Sequence, residues 1–160
     1  MPVQELEPTV TQASLAVRWA DASVMLLVLK TTPTRQDFVR WVEPWFEHHF
    51  FAAQRRGILI IDLRGIHQSP DASFLLETLR WCLTHLITIN RLSFGQVYIT
   101  DSGLIQSTIG AILAKIPLVA PFSLCTSVEA AVQSAEERLQ RHSMTCNGAQ
   151  VRQAIEESFP

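Results

Sequence analysis

The side chains that could do chemistry in this 160-residue chain lie where predicted strands end and predicted helices begin. Asp62 ends the apolar run "GILIID", and Asp101 directly follows the strand-like stretch "FGQVYIT". Open α/β sheets bind ligands at the carboxyl ends of their strands, so two such aspartates could flank a site. The sequence offers them no nucleophile, glycine-rich loop or histidine partner. It therefore predicts strand-end capping, and a hydrolase that uses these carboxylates is the alternative.

A second polar group follows the first strand end, at Ser69-Pro70-Asp71. Serine at the N-cap, proline at the first helical position and aspartate in the first turn are typical of a helix start. Ser73 lies too deep to cap this helix and is either a surface or packing serine or a phosphorylation site. A phosphate there would lie near the positive helix end but beside Asp71. Asp101 and Ser102 are predicted to cap the following helix.

The histidines give no metal signal. His48 and His49 are adjacent, so on a helix they point about 100° apart and suit neither a shared metal nor a catalytic pair. His67 and His85 lack partners at ligand spacing. No metal and no cofactor is therefore predicted.

An aromatic stripe at helical spacing is the most unusual feature of the chain. Core packing is its default interpretation, but one helix can rarely bury so many large rings in a domain of this size. The excess is expected to line a hydrophobic groove or a dimer face, since exposed apolar patches usually mark interaction sites. Pro44 interrupts the stripe and predicts a kink or two short helices. The stripe consists of Phe38, Trp41, Trp45, Phe46 and Phe50.

Composition limits the class of protein. The formal net charge is −2, the sequence pI is about 6.2 and basic residues are scattered, which argues against a nucleic-acid partner. The longest aliphatic run, Val24 to Leu29, is far shorter than the roughly 20 residues that span a bilayer. The N-terminus does not resemble a secretory signal, and the three cysteines have no CxxC spacing. A protein of the reducing cytoplasm is expected.

The predicted order of elements is β-β-α-β-α-β-α-β-α. An initial hairpin turns at residues 20–23, and strands then alternate with helices, including one of about 20 residues after Ser69. This order predicts a single-domain α/β fold with a mixed, mostly parallel five-stranded sheet and about four helices. Residues 13–142 form the predicted domain. Residues 1–12 and 143–160 are predicted tails, the second with one short helix.

Two stretches, "ILIIDLRGIHQSPDASFLLETL" and "LSFGQVYITDSGLIQSTIGAILAKIPLVAPFSLCTSVEAAV", carry a resemblance to the STAS superfamily. This superfamily includes the anti-sigma-factor antagonists and the SpoIIAA-like domains, and the resemblance covers roughly residues 14–141. In the antagonist branch it places Asp71 on the conserved aspartate and Ser73 on the phosphorylated serine. Ala72 and Phe74 depart from that motif, which fits the SpoIIAA-like branch better. In that branch a lipid or hydrophobic-ligand role is suspected.

The resemblance implies a non-enzymatic regulatory module that binds a protein partner or a small hydrophobic ligand. The loop from Ile66 to Ser73, with Asp101 and Ser102, would form the partner-facing edge, and the aromatic helix would supply burial. Two alternatives stay open: the hydrolase, and an obligate homodimer that associates through the aromatic helix or the C-terminal segment.

Overall fold

Among residues 7–158, six strands form one sheet in the order in which they follow along the chain. The computed structural model describes residues 7–158. The first three strands pair antiparallel and the last four pair parallel, β3 belonging to both groups. The strands are β1 (Val10–Thr11), β2 (Leu15–Asp21), β3 (Val24–Leu29), β4 (Gly57–Asp62), β5 (Ser93–Ile99) and β6 (Phe122–Cys125).

The hairpin and the parallel strands confirm the predicted mixed α/β fold. Between β2 and β3 the Asp21 carboxylate accepts a hydrogen bond from the Ser23 backbone N–H at 3.0 Å, which closes the tight turn. The sheet has one strand more than expected, because β1 lies within the predicted N-terminal tail and pairs with β2 through Val10 and Val17.

Helices cover both faces of the sheet. Helices α1 to α4 lie on one face, where the aromatic rings pack, and α5 and α6 lie on the other. The described residues contain six helices rather than the predicted four. They are α1 (residues 35–51), α2 (Ala72–Thr84), α3 (Leu86–Leu92), α4 (Gly103–Leu113), α5 (Val128–Gln140) and α6 (Gly148–Ser158).

The C-terminal segment is not a tail. Helix α6 buries Val151 and Ile155 completely against β2, β3 and α5. The same packing covers one face of β2, since Ala16 and Ala20 are buried beneath this helix layer. The sequence pattern of α6 explains why its burial was missed. The apolar residues of α6 are few among many polar ones, but they fall on a single helical face.

The helix predicted after Ser69 is two helices. His85 adopts φ −105° and ψ 17°, which ends α2, and α3 begins at the next residue. The break changes which side chains are buried. Leu76 and Ile87 are 65% and 85% exposed, whereas Phe74 and Trp81 are buried.

Helix α1 passes through Pro44 without a break into two helices. Two π-helical stretches, Phe38–Val42 and Glu47–Phe51, flank the proline. The Glu43 N–H donates to the Phe38 carbonyl five residues back, so the wider turn ends immediately before Pro44. Proline has no N–H to donate and would crowd the carbonyl of a tighter helix. Wide turns of this kind occur often at functional sites.

Candidate functional site

A cavity of about 180 Å³ lies between the sheet and helices α1, α2 and α4. Its floor is the sheet face that carries Leu27, Leu29, Ile61 and Tyr98. Protein interiors are usually packed so closely that voids larger than a water molecule are few. A cavity of this size is therefore a distinct feature of the fold.

The helices contribute rings and aliphatic side chains to the walls. Phe38, Phe46 and Phe50 come from α1, Trp81 comes from α2, and Ile109 comes from α4. Within residues 7–158, α4 packs closely against no other helix. This helix therefore lies over the cavity and meets the core mainly through the side chains that line it.

The aromatic stripe is buried, not exposed. Trp45 is fully buried, and its Nε1 donates a hydrogen bond to the Pro8 carbonyl at 3.0 Å. Phe38, Phe46 and Phe50 are buried and line the cavity, while Trp41 is half-buried. One helix was expected to bury so many rings only rarely, but α1 does so, because its rings pack against Trp19, Trp81 and the sheet.

The strand-end aspartates do not converge on the cavity. Asp62 is 0% exposed, and its two carboxylate oxygens accept from Arg64, with Nε to Oδ1 at 3.0 Å and Nη2 to Oδ2 at 2.7 Å. The Arg64 backbone N–H also donates to Asp62 Oδ1 at 3.1 Å. Asp101 is exposed. Neither carboxylate, and no histidine of the described part of the chain, lines the cavity.

The predicted partner-facing loop forms one end of the cavity. Ile66 is buried, and both Ile66 and Pro70 line the cavity. Ser69 Oγ lies 3.5 Å from Thr108 Oγ1 of α4, so the loop approaches the helix that lies over the cavity. The sequence predicted Ser69 as the N-cap of α2, but Ser69 does not cap this helix.

Asp71 is the N-cap of α2, and the predicted roles of its neighbours shift accordingly. The Asp71 carboxylate accepts from the Phe74 N–H at 3.0 Å and from Ser73 Oγ at 2.8 Å. Both hydrogen bonds hold the pKa of Asp71 below its usual value, and the bond from the Phe74 N–H has the larger effect. Ser102 is the N-cap of α4 and accepts from the Ile105 N–H at 3.3 Å, which confirms its predicted capping role.

A carboxylate pair links α1 and α2 beside the ring cluster. Glu77 is 6% exposed and is bound by Arg80, which also lies 3.3 Å from Glu43 through Nη2. Burial, together with the hydrogen bond and negative charge of Glu77, raises the pKa of Glu43 to about 7. The hydrogen bond from Arg80 is the main cause that lowers the pKa of Glu77. The two carboxyl groups thus share one proton between the helices near neutral pH.

This pair predicts a pH-dependent stability. Folded protein retains the Glu43 proton up to about pH 7, whereas the unfolded chain loses it near 4.5, so folding loses stability as the pH rises from 4.5 to 7. We expect the Tm of the wild-type protein to fall over this range. Glu43→Gln mimics the protonated carboxyl and should flatten that part of the profile, measured by circular dichroism melts.

Glu156→Gln is the matched control, because Glu156 is an exposed helical glutamate. Its melting profile should keep the wild-type slope between pH 5 and 7. A Glu43→Gln profile that runs parallel to the wild type would show that the shared proton does not exist.

Other predicted features can be placed briefly. Among residues 7–158, no group of three or more histidine, cysteine or acidic side chains is arranged to hold a metal ion. Cys82, Cys125 and Cys146 are not joined by disulfides, and burial raises the pKa of the Cys82 thiol to about 11. None of the helices described here has the length and apolar character needed to cross a membrane.

Two groups of residues, one in the cavity and one outside its lining between α1 and α2, were missed from the sequence. Gln96 and Tyr98 of β5 face the cavity, and Gln96 stood out only as a polar residue in an otherwise apolar strand. Glu43 and Glu77 carried no signal beyond their presence in predicted helices. A polar side chain that shares a strand face with buried rings is the clue that could have identified Gln96.

Comparison of the chain with models of protein families, with curated proteins and with solved structures found no match.

Proposed function

We propose that this protein is a non-enzymatic binding module that holds a small hydrophobic ligand in the cavity under α4. The observation that carries the proposal is the apolar cavity of about 180 Å³. An engineered cavity of similar size, about 150 Å³ and lined by Leu, Ile and Phe side chains, is dry and binds benzene. The sequence resemblance to SpoIIAA-like domains, for which such a ligand is suspected, points in the same direction.

The energetic cost of the cavity supports an occupant. At roughly 24 cal/mol per Å³, a void of this size costs about 4 kcal/mol relative to a filled core. Whole domains are stable by only about 5–15 kcal/mol. A core with this much unfilled space loses a large part of that free energy of unfolding. Binding of a ligand with matching apolar surface would restore it.

The lining favours binding over chemistry. The strand-end carboxylates that a hydrolase would use lie outside the cavity, and Asp62 is committed to Arg64. The proposal does not include phosphorylation of Ser73, because its hydroxyl already donates to Asp71 and a phosphate there would face that carboxylate. The loop from Ile66 to Ser73 instead belongs to the cavity wall.

Filling the cavity tests the proposal. n-Butylbenzene, an uncharged apolar probe, should bind the wild-type protein, raise its Tm and shift the NMR signals of methyl groups that line the cavity. Ile112→Trp places an indole at a lining position. We expect this variant to weaken butylbenzene binding by about tenfold or more, since the space for several methylenes at about 0.8 kcal/mol each is lost.

Ala111→Trp is the control, because Ala111 is exposed on the same helix and lies outside the lining. Its affinity for butylbenzene should stay within about twofold of wild type. Failure of the wild-type protein to bind the probe, or equal binding by the Ile112→Trp variant, would contradict the proposed function.

A further inference from the structure

We propose that the cavity selects an uncharged ligand and holds its single polar oxygen against the carboxamide of Gln96. The inference rests on the proposed function and adds the chemical class of the ligand. That class is a hydrocarbon body, slightly larger than benzene, that carries one ketone, aldehyde or alcohol oxygen.

The absence of charge from the lining carries the first step. No Lys, Arg, His, Asp or Glu side chain lines the cavity among residues 7–158. Transfer of an unpaired carboxylate or ammonium group into such surroundings is far costlier than transfer of a neutral polar group. A fatty acid or an amine would therefore have to shed its charge to enter, whereas a neutral molecule would not.

Most polar side chains of the lining are already committed to the protein. Thr78 Oγ1 donates to the Phe74 carbonyl, and Thr108 Oγ1 donates to the Leu104 carbonyl, both at 3.0 Å. Ser93 Oγ accepts from the Gly95 N–H at 3.1 Å. These hydroxyl groups are tied to their own elements and leave the ligand little to bind.

Gln96 is different. Its Oε1 accepts the hydroxyl proton of Tyr98, which needs an acceptor and so fixes the orientation of the carboxamide. Burial raises the pKa of Tyr98, so this hydroxyl stays protonated. Within the described residues, the Gln96 Nε2 group donates to no protein acceptor. Its two N–H bonds thus remain for an oxygen of a ligand, and Gln96 is among the residues that line the cavity.

The position of Gln96 suits a head-group contact. Gln96 pairs with Leu59 on β4, and Tyr98 pairs with Ile61, so both polar residues lie in the sheet floor between apolar neighbours. The body of a ligand would lie against the rings of α1 and α2, with its oxygen directed to β5. A carbonyl or hydroxyl oxygen accepts an N–H hydrogen bond there without bringing a charge into the cavity.

Four C8 compounds with different head groups test the inference. Isothermal titration at pH 7.4 would compare 2-octanone, 1-octanol, octanoate and octylammonium with the wild-type protein. We expect the ketone and the alcohol to bind about tenfold or more tightly than the two ions. Equal affinity for octanoate and 2-octanone would overturn the inference.

Variants locate the head group. Gln96→Met keeps the length of the side chain but removes its N–H donors. It is combined with Tyr98→Phe, because the Tyr98 hydroxyl would otherwise lose its acceptor and donate to the ligand oxygen in place of Gln96. Relative to Tyr98→Phe alone, the double variant should weaken 2-octanone about fivefold while leaving n-butylbenzene within twofold. Thr78→Val removes a hydroxyl already bound within α2 and should change neither affinity. An unchanged ratio of ketone to butylbenzene affinity between Tyr98→Phe and the double variant would overturn the assignment to Gln96.

An infrared readout does not depend on the stability of the variant. The carbonyl stretch of bound 2-octanone should lie at the hydrogen-bonded frequency in wild type and at the frequency of a hydrocarbon solution in the double variant Gln96→Met, Tyr98→Phe. The same frequency in both proteins would overturn the inference. If neither 2-octanone nor butylbenzene binds, the proposed function itself fails, whereas butylbenzene binding without head-group selectivity overturns only the ligand class.

Discussion

Replacement of Arg64 by methionine is expected to lower the free energy of unfolding by about 3–5 kcal/mol. Asp62 is completely buried, and Arg64 supplies both its ion pair and most of its hydrogen bonds. Without the guanidinium, residue 64 donates a single hydrogen bond to the buried Asp62 carboxylate, from its backbone N–H. Urea unfolding at neutral pH would measure the loss.

Two further variants make this result specific. The double variant Asp62→Asn, Arg64→Met should recover part of the loss, because a neutral amide is cheaper to bury than a carboxylate. Arg152→Met is the matched control: Arg152 is an exposed arginine 4.0 Å from Glu129, and such pairs contribute at most about 1 kcal/mol. If Arg64→Met is as stable as wild type, Asp62 is accessible to water and the hydrolase alternative regains its strongest residue.

Truncation of Trp45 to alanine is expected to cost about 3–5 kcal/mol. The ring is fully buried, lies 5.1 Å from the Phe46 ring and 6.2 Å from the Trp19 ring between centroids, and donates to the Pro8 carbonyl. Trp45→Phe retains most of the packing and should cost less, about 1–2 kcal/mol, because it removes the hydrogen bond and part of the ring. Chemical denaturation of the three proteins would separate packing from hydrogen bonding.

Trp41→Ala is the control for Trp45, since Trp41 belongs to the same helix but is half-buried, with the Arg40 guanidinium 4.9 Å above its ring. We expect it to cost clearly less than Trp45→Ala. Small losses at both positions would mean that the stripe is exposed, as a dimer face would require, and would contradict the buried arrangement.

Local pattern predicted much of the fold. The apolar runs of β3 and β4, the turn at Asp21 and the cap at Ser102 each depend on residues close in sequence, and each was found where expected. Helix α6 was predicted only as a weak element of a tail. The burial of Val151 and Ile155 depends on the sheet surface against which α6 packs. That surface is formed by residues far away in the sequence, so the local pattern of α6 does not reveal it.

The candidate site could be predicted less well, for a physical reason. Some of the predicted aromatic residues line the cavity, but the cavity itself is formed by side chains from four strands and four helices and by the space that they leave unfilled. The role proposed for Gln96 depends on Tyr98, which binds the oxygen of its carboxamide, and on the absence of an acceptor for its N–H groups among the residues described here. Such arrangements are set by tertiary packing and are invisible to spacing or composition.

The cavity also has a mechanical consequence. Unfolding removes internal empty space, so the unfolded chain in water occupies less volume than the folded protein, and the difference grows with the space removed. A protein with a void of about 180 Å³ should therefore be denatured by unusually low hydrostatic pressure. Pressure should unfold the structure first beneath α4, where the void lies. A ligand in the cavity should raise the pressure at which the protein unfolds.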